Sequence, residues 1–209
     1  KRIGERRPRC PGHLTTKNPS IYRLWRKSKR ASDMEICELD IAAYRGKALK
    51  VRYTTSYVYE AVVNQNAACF GVMFQRTALP KPLSCGFDDI WGSEWLTKPE
   101  LYGECVDGQI VGLLDICVAA WSQRLRISNL FVEPADRGRG CATRLLEHAI
   151  QVARQRDIRC VLLETQSCND PAIQCYLRSG FVFLGCDLSV GSNQDIQRKN
   201  VRIEMGYYL

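Results

Sequence analysis

The loop Arg137-Gly138-Arg139-Gly140-Cys141-Ala142 holds the most readable chemistry in this chain. Small residues at Gly138, Gly140 and Ala142 let a ligand approach the backbone. Two arginines, Arg137 and Arg139, sit in the same loop. The run before the loop, Ile127 to Val132, reads as a strand, and Pro134 stops it by removing a backbone donor. The run after it, Thr143 to Arg156, reads as a helix. Leu145, Leu146, Ala149, Ile150 and Ala153 fall on one of its faces. Such a helix points its free N–H groups and positive dipole end at the loop, an arrangement that binds phosphate. The GxGxxG order of a dinucleotide site is absent, and no GK[ST] of a P-loop follows. An ordinary strand-to-helix turn with a basic face has the same local pattern.

The elements downstream narrow the choice. Cys160-Val161-Leu162-Leu163 is a short apolar run, expected as a buried strand parallel to the first and continued by Glu164-Thr165-Gln166. Asn169-Asp170-Pro171 signals a new helix, with either Asn169 or Asp170 as its cap. That helix carries Ala172, Ile173, Tyr176 and Leu177 and ends at Ser179-Gly180. Strands are expected over Phe181 to Leu184 and about Val201 to Tyr208.

The R-x-x-G-x-A loop, followed by Asn169, Ala172, Tyr176, Gly180 and Phe181 in N-x-x-A-x-x-x-Y-x-x-x-G-F order, resembles the GNAT N-acetyltransferase superfamily. The resemblance covers roughly residues 100 to 209. Within it, Leu163-Glu164-Thr165-Gln166, Gly185-Cys186-Asp187, Tyr207-Tyr208 and the 101–118 hairpin look like streptothricin acetyltransferases. One departure matters. Where those enzymes tend to read Ile-Glu-Asp, this chain reads Ile127-Ser128-Asn129, without the two acids that suit a cationic amine.

The resemblance implies an α/β (α+β) fold. It would have a mixed central sheet of about six to seven strands flanked by helices, and a splayed cofactor-binding strand pair. It implies acetyl-CoA as acetyl donor and direct transfer to a primary amine of a small molecule, such as a streptothricin-type antibiotic, with a protein or peptide acceptor as the alternative. A non-catalytic acyl-CoA-binding module is a further alternative. Cofactor contacts are then expected from Leu130, Phe131 and Val132 on the strand. The loop contacts are Arg137, Gly138, Arg139, Gly140, Cys141, Ala142 and Thr143, and Asn169 would bond the pantetheine amide. Tyr176 is the expected general acid, because its phenol pKa of about 10 is close to that of a thiol. Glu164 is the carboxylate proposed as general base, with Glu133 nearby; pairing of Glu164 with an arginine is the competing role.

Composition sets outer limits. A chain of 209 residues with 45% hydrophobic content buries one good core. No apolar run reaches a membrane span. The net charge of +8 is unevenly placed: residues 1–30 carry eleven Lys or Arg and one acid, giving +10, so residues 31–209 sum to −2. We therefore expect a basic, flexible extension over 1–32 and an acetyltransferase domain over 33–209. Basic runs alone are weak nucleic-acid motifs, and the expected partners are acetyl-CoA and the acceptor, with a homodimer left open. The chain starts at Lys1, which leaves an earlier start open.

Eleven cysteines form no CxxC pair, and with only His13 and His148 a zinc site lacks its usual ligands. Thiols scattered over core positions suggest a cytoplasmic protein. Cys141, at a helix N-terminus, has the position of a reactive thiol, but packing is the plainer reading. Upstream, Met34 to Leu39 is expected as a strand, Val51 to Gln65 as a helix, and, within Met73 to Trp95, Leu79 to Asp89 as an irregular loop. Trp91 and Trp95, with Asp88, Asp89 and Glu94, would line a pocket for a cation or simply pack.

Overall fold

The computed structural model describes residues 34–209, which form nine strands and two α-helices. The expected 1–32 extension lies outside the described residues. In chain order the strands begin with β1 (Glu35–Leu39), β2 (Ala48–Gln65) and β3 (Phe70–Ile90). They continue with β4 (Glu100–Val106), β5 (Gln109–Ala119) and β6 (Arg124–Val132). Helix α1 (Cys141–Arg154) leads to β7 (Cys160–Gln166), and α2 (Asp170–Arg178) leads to β8 (Val182–Asp187) and β9 (Arg202–Tyr208).

Seven strands make one sheet in the order β1-β4-β5-β6-β7-β9-β8, and β2 and β3 form a separate ribbon. Only β6 and β7 run parallel, joined by the α1 crossover; the other pairs are antiparallel. The expected mixed sheet is therefore present. α1 packs on it as its periodicity requires. Leu145, Leu146, Ala149 and Ala153 are fully buried against Leu114, Ile116, Leu125, Ile127, Val161 and Leu163. Each such leucine removes enough apolar area to stabilise the fold by about 1.5–3 kcal/mol. α2 starts at its Asn169 cap, whose Oδ1 accepts from Ala172 N at 3.3 Å, and ends before Gly180 at φ 85°.

The upstream half corrects two expectations. Val51 to Gln65 is not helical, and Leu79 to Asp89 is mostly strand rather than loop. Both belong to an antiparallel ribbon paired from Ala48↔Ile90 to Gln65↔Phe70. Val51, Thr54, Thr55, Val58, Val62 and Val63 are β-branched, and Tyr53, Tyr57 and Tyr59 are aromatic, which suits a pleated surface better than a helix. The two prolines that suggested a loop fall at an irregularity. Pairing jumps from Thr55↔Leu83 to Tyr57↔Ala78, so Leu79-Pro80-Lys81-Pro82 bulges out opposite Ser56 and no ladder bond is lost to proline.

The ribbon is tied to the sheet rather than free. Tyr59 N donates to Ser167 O at 2.8 Å, and Gln174 Nε2 donates to the Tyr59 hydroxyl at 2.7 Å. Arg76 bonds both Asp170 oxygens, and Lys199 pairs with Glu60 at 2.6 Å. Together these contacts hold β2 and β3 over the β7–α2 connection. Trp91 is buried in a second apolar cluster with Leu39, Tyr44, Leu49 and Leu101, so it packs.

Candidate active site

The parallel strands pair over only four positions, from Arg124↔Cys160 to Ile127↔Leu163. Beyond them β6 stays with β5, while β7 stays with β9. The cause lies in the register. Ile116 faces Ile127 and Asp115 faces Asn129, so Ser128 is an extra residue in β6. Such a bulge bends a strand and ends its pairing on one side. β6 and β7 therefore part at Ser128 and Glu164, the splay expected of the cofactor strands.

The bulge sets which backbone groups face the gap. Glu133 N donates to Val111 O on β5 at 2.9 Å. In an antiparallel ladder the direction alternates, so Phe131 also faces β5, while Leu130 and Val132 turn their amides toward the gap. Of the three expected strand contacts, Leu130 and Val132 have amides placed for a ligand. The Val132 carbonyl is already held by Arg137 Nε at 3.1 Å.

The loop after β6 fits an anionic ligand. Gly138 and Gly140 sit at φ 78° and 82°, a region that L side chains rarely adopt. The amides of residues 138 to 143 have no backbone acceptor among the described residues. Cys141, Ala142 and Thr143 contribute the free first turn of α1, and Gly140 supplies no side-chain cap. Arg137 also reaches Arg52 O on β2 at 2.8 Å, which joins the ribbon to the loop. Arg139 is mostly exposed and pairs with Asp136 at 3.0 Å. Amides without a backbone acceptor at a helix start, with two arginines beside them, are the kind of arrangement that an anion takes.

Cys141 is a packing residue. It is 2% exposed, and burial, with help from Glu104, pushes its thiol up to about 12. Gly112 accommodates it, since a Cβ there would lie 2.4 Å from the Cys141 sulfur.

Tyr176 is buried on α2 in the same core cluster as Leu163. Its ring tilts against Phe181 at 6.2 Å. Burial raises its phenol well above 10, which keeps the hydroxyl protonated at neutral pH. Asn169, expected to hold pantetheine, uses its Oδ1 to cap α2; its NH₂ group is the part left for a ligand.

Glu164 lies at the mouth of the splay, but its carboxylate is engaged. Arg126 meets one oxygen at 2.7 Å and Arg202 the other at 3.6 Å. Arg202 also pairs with Asp187, and Arg126 lies 5.9 Å from the ring of exposed Trp95. This is the arginine-paired role anticipated as the competitor to general base.

One residue escaped sequence reasoning. Asp115 is 0% exposed and stands opposite Asn129 beside the bulge. Its Oδ2 accepts from Gly92 N at 3.3 Å, and its Oδ1 has no hydrogen-bond partner. Burial pushes its carboxyl up to about 6 and the charge of Asp89 adds to that, while Gly92 and Asn129 oppose it. With its nitrogen turned to acceptors, the Asn129 amide donates to Asp89 Oδ2 at 3.3 Å and Ser128 O at 3.2 Å. Neither Asp89 nor Asp115 forms a salt bridge among the described residues. A lone aspartate within the apolar strand Val111 to Val118 was the available signal.

The sequence pattern of the Acetyltransferase (GNAT) family matches residues 59–181. A streptothricin acetyltransferase of Streptomyces lavendulae is 31% identical over 182 residues, covering 83% of this chain and 88% of that protein. Among solved structures, nourseothricin acetyltransferase superposes with a TM-score of 0.64 at 23% identity, covering 84% of this chain and 98% of the other. A putative streptothricin acetyltransferase from Bacillus anthracis, solved with acetyl coenzyme A, gives 0.61 at 20%, covering 86% and 99%. The splayed strands, the glycine loop and these likenesses agree: the chain belongs to the GNAT acetyltransferase family, as an acetyl-CoA-dependent N-acetyltransferase.

Proposed function

We propose that the acceptor is a cationic small-molecule amine of the streptothricin type. The observation that carries this is the pair Asp89 and Asp115, two carboxylates without a cation beside the bulge. Relatives of this type tend to place acids on the cofactor strand itself. Here Ser128 and Asn129 stand in those places, and the carboxylates come from β3 and β5 instead. The Streptomyces lavendulae relative, which matches over most of the chain, supports the same acceptor.

When bound, acetyl-CoA supplies the acetyl thioester. The Leu130 and Val132 amides orient it and polarise its carbonyl, because fixed dipoles in a dry gap need no reorganisation during reaction. Residues 137–143 hold the pyrophosphate. Acidic side chains on the acceptor side draw the amine in and favour its approach to the gap. Tyr176 keeps a proton for the departing thiolate. Glu164, held by two arginines, fixes the acceptor face, and a proton acceptor reached through water serves the amine.

Residues 33–209 form the catalytic unit in this reading, and 1–32 are not needed for turnover. The test is CoA release across streptothricin, aminoglycosides, polyamines and short peptides. Streptothricin should give the highest kcat/KM. A preference for a peptide N-terminus would overturn the acceptor assignment and leave the acetyl donor intact.

A further inference from the structure

We infer that Arg137 is a positioning residue: its guanidinium fastens ribbon strand β2 across the open end of the splay, and the phosphates of bound acetyl-CoA tighten that fastening. β6 and β7 last pair at Ile127↔Leu163. Further along β6, the Val132 carbonyl accepts from Arg137 Nε at 3.1 Å. Arg137 Nη1 donates to the Arg52 carbonyl on β2 at 2.8 Å. On the other arm, just past the end of β7, the Ser167 carbonyl accepts from Tyr59 N, also on β2, at 2.8 Å. Val132 and Ser167 lie at similar distances beyond the last pair of two parallel strands. β2 is thus tied to the β6 arm through Arg137 and to the β7 arm through Ser167.

The loop motif alone reads Arg137 as a phosphate cation, and the structure gives it a second task. A guanidinium carries five N–H donors in one flat fork. Nε and Nη1 each serve a carbonyl, which leaves Nη2 without a partner among the described residues. Arg137 is exposed, so water competes for both carbonyl bonds. A phosphate bound to Nη2 fixes the plane of the whole fork, and with it those two bonds. The β2 end of the joint is cross-braced. Arg52 Nη1 donates to the carbonyls of Val51 at 2.8 Å and Phe87 at 3.0 Å, and its Nη2 pairs with Asp88 at 2.6 Å. The Arg52 stem lies over Gly86, where a Cβ would come within 2.7 Å of Arg52 Cδ.

Val132 links this joint to the chemistry. Its amide is placed for the cofactor, and its carbonyl is held by the same arginine that holds β2. The ribbon in turn carries Asp89 toward Asn129. Donor binding and ribbon seating therefore share one side chain, and by linkage each favours the other. The inference rests on the 137–143 loop holding the phosphates and not on which amine is acetylated.

The test compares hydrogen–deuterium exchange of β2 peptides with and without saturating CoA, in the full chain and in its Arg137→Lys variant. Lysine keeps the positive charge, but its ammonium is a point charge and lacks the flat fork that serves two carbonyls and a phosphate together. Calorimetry sets the saturating CoA concentration for each protein, so weaker affinity does not imitate lost coupling. CoA should slow β2 exchange several-fold in wild type and change it less than about twofold in Arg137→Lys. A merely structural arginine gives another pattern. Exchange in the lysine variant then rises without CoA, yet CoA slows it by the same factor as in wild type, and that result overturns the inference. So does a wild-type chain that binds CoA with β2 exchange unchanged, a result that needs no variant. Failure of the loop assignment shows separately, as unchanged CoA affinity in Gly140→Asp.

Discussion

Arg76 of β3 holds Asp170, the first residue of α2, through two hydrogen bonds of 2.7 and 3.0 Å. The same guanidinium lies 3.6 Å from the centre of the Tyr57 ring. One side chain therefore joins the ribbon to the helix that carries Tyr176. Arg76→Ala leaves Asp170, 7% exposed, without its cation. We expect a lower Tm and a several-fold rise in KM for the acceptor, with a smaller change in acetyl-CoA affinity. Unchanged KM and Tm would mean that Tyr59 and Lys199 suffice to seat the ribbon.

Gly140 tests the loop. Its φ of 82° disfavours any side chain, and an aspartate there adds negative charge against the pyrophosphate site. Gly140→Asp should weaken acetyl-CoA binding at least about tenfold, or about 1.4 kcal/mol, by calorimetry. Gly108→Ala is the control, since Gly108 has φ 78° and open space but turns the β4–β5 hairpin. That variant should lose stability and keep its affinity. Equal affinities in both variants would remove the cofactor from this loop.

Asp115 predicts a stability that falls with rising pH. Its carboxyl titrates near 3.8 in the unfolded chain and is raised to about 6 in the fold. Below about pH 4 both states hold the proton, so the neutral acid carries no penalty. Between these values the fold keeps a proton that the unfolded chain has lost, so stability falls as pH rises. Above about pH 6 the loss levels off at about 3 kcal/mol. Asp115→Asn should therefore gain stability relative to wild type on going from pH 4 to pH 7 in urea unfolding. A constant difference would show that the carboxyl is not strained by burial. The same variant should bind a cationic acceptor less well if Asp115 helps receive it.

Much of the second half was legible because its signals are local. The strand ended by Pro134, the helical stripe of α1 and the Asn169 cap each depend on residues a few positions apart, and all three stand where expected. The ribbon was not legible for the opposite reason. Pairing Ala48 with Ile90 spans 42 positions, and nothing near Leu79-Pro80-Lys81-Pro82 says that a proline bulge interrupts two long strands. The site divides the same way. The loop residues and Tyr176 sit on a local motif. Asp115 gains its meaning only from Asn129 across the ladder, and Glu164 finds Arg126 and Arg202 on different strands.

Tyr176 offers the sharpest test of the chemistry. The departing thiolate needs a proton, and a phenol can give one only if it is protonated beforehand. Burial secures that by raising the phenol above its ordinary range. The cost is that a more basic phenolate makes proton transfer less downhill, so the hydroxyl must be close to the sulfur as charge develops. No described side chain competes for that hydroxyl, whose ring is fixed against Phe181. Tyr176→Phe keeps the ring and its packing and removes one oxygen. If the hydroxyl acts as the acid, kcat falls about 10²- to 10⁴-fold while acetyl-CoA affinity stays near wild type, because the lost interaction belongs to the transition state. A solvent proton then replaces the phenol, and the residual rate should become more sensitive to buffer concentration. A purely structural tyrosine gives the reverse: Tm shifts, kcat holds, and buffer has no effect. Single-turnover measurements on a well-used acceptor keep product release from hiding the difference. Wild-type single-turnover rates in the phenylalanine variant would place Tyr176 in the core alone and send the search for the proton to water in the splay.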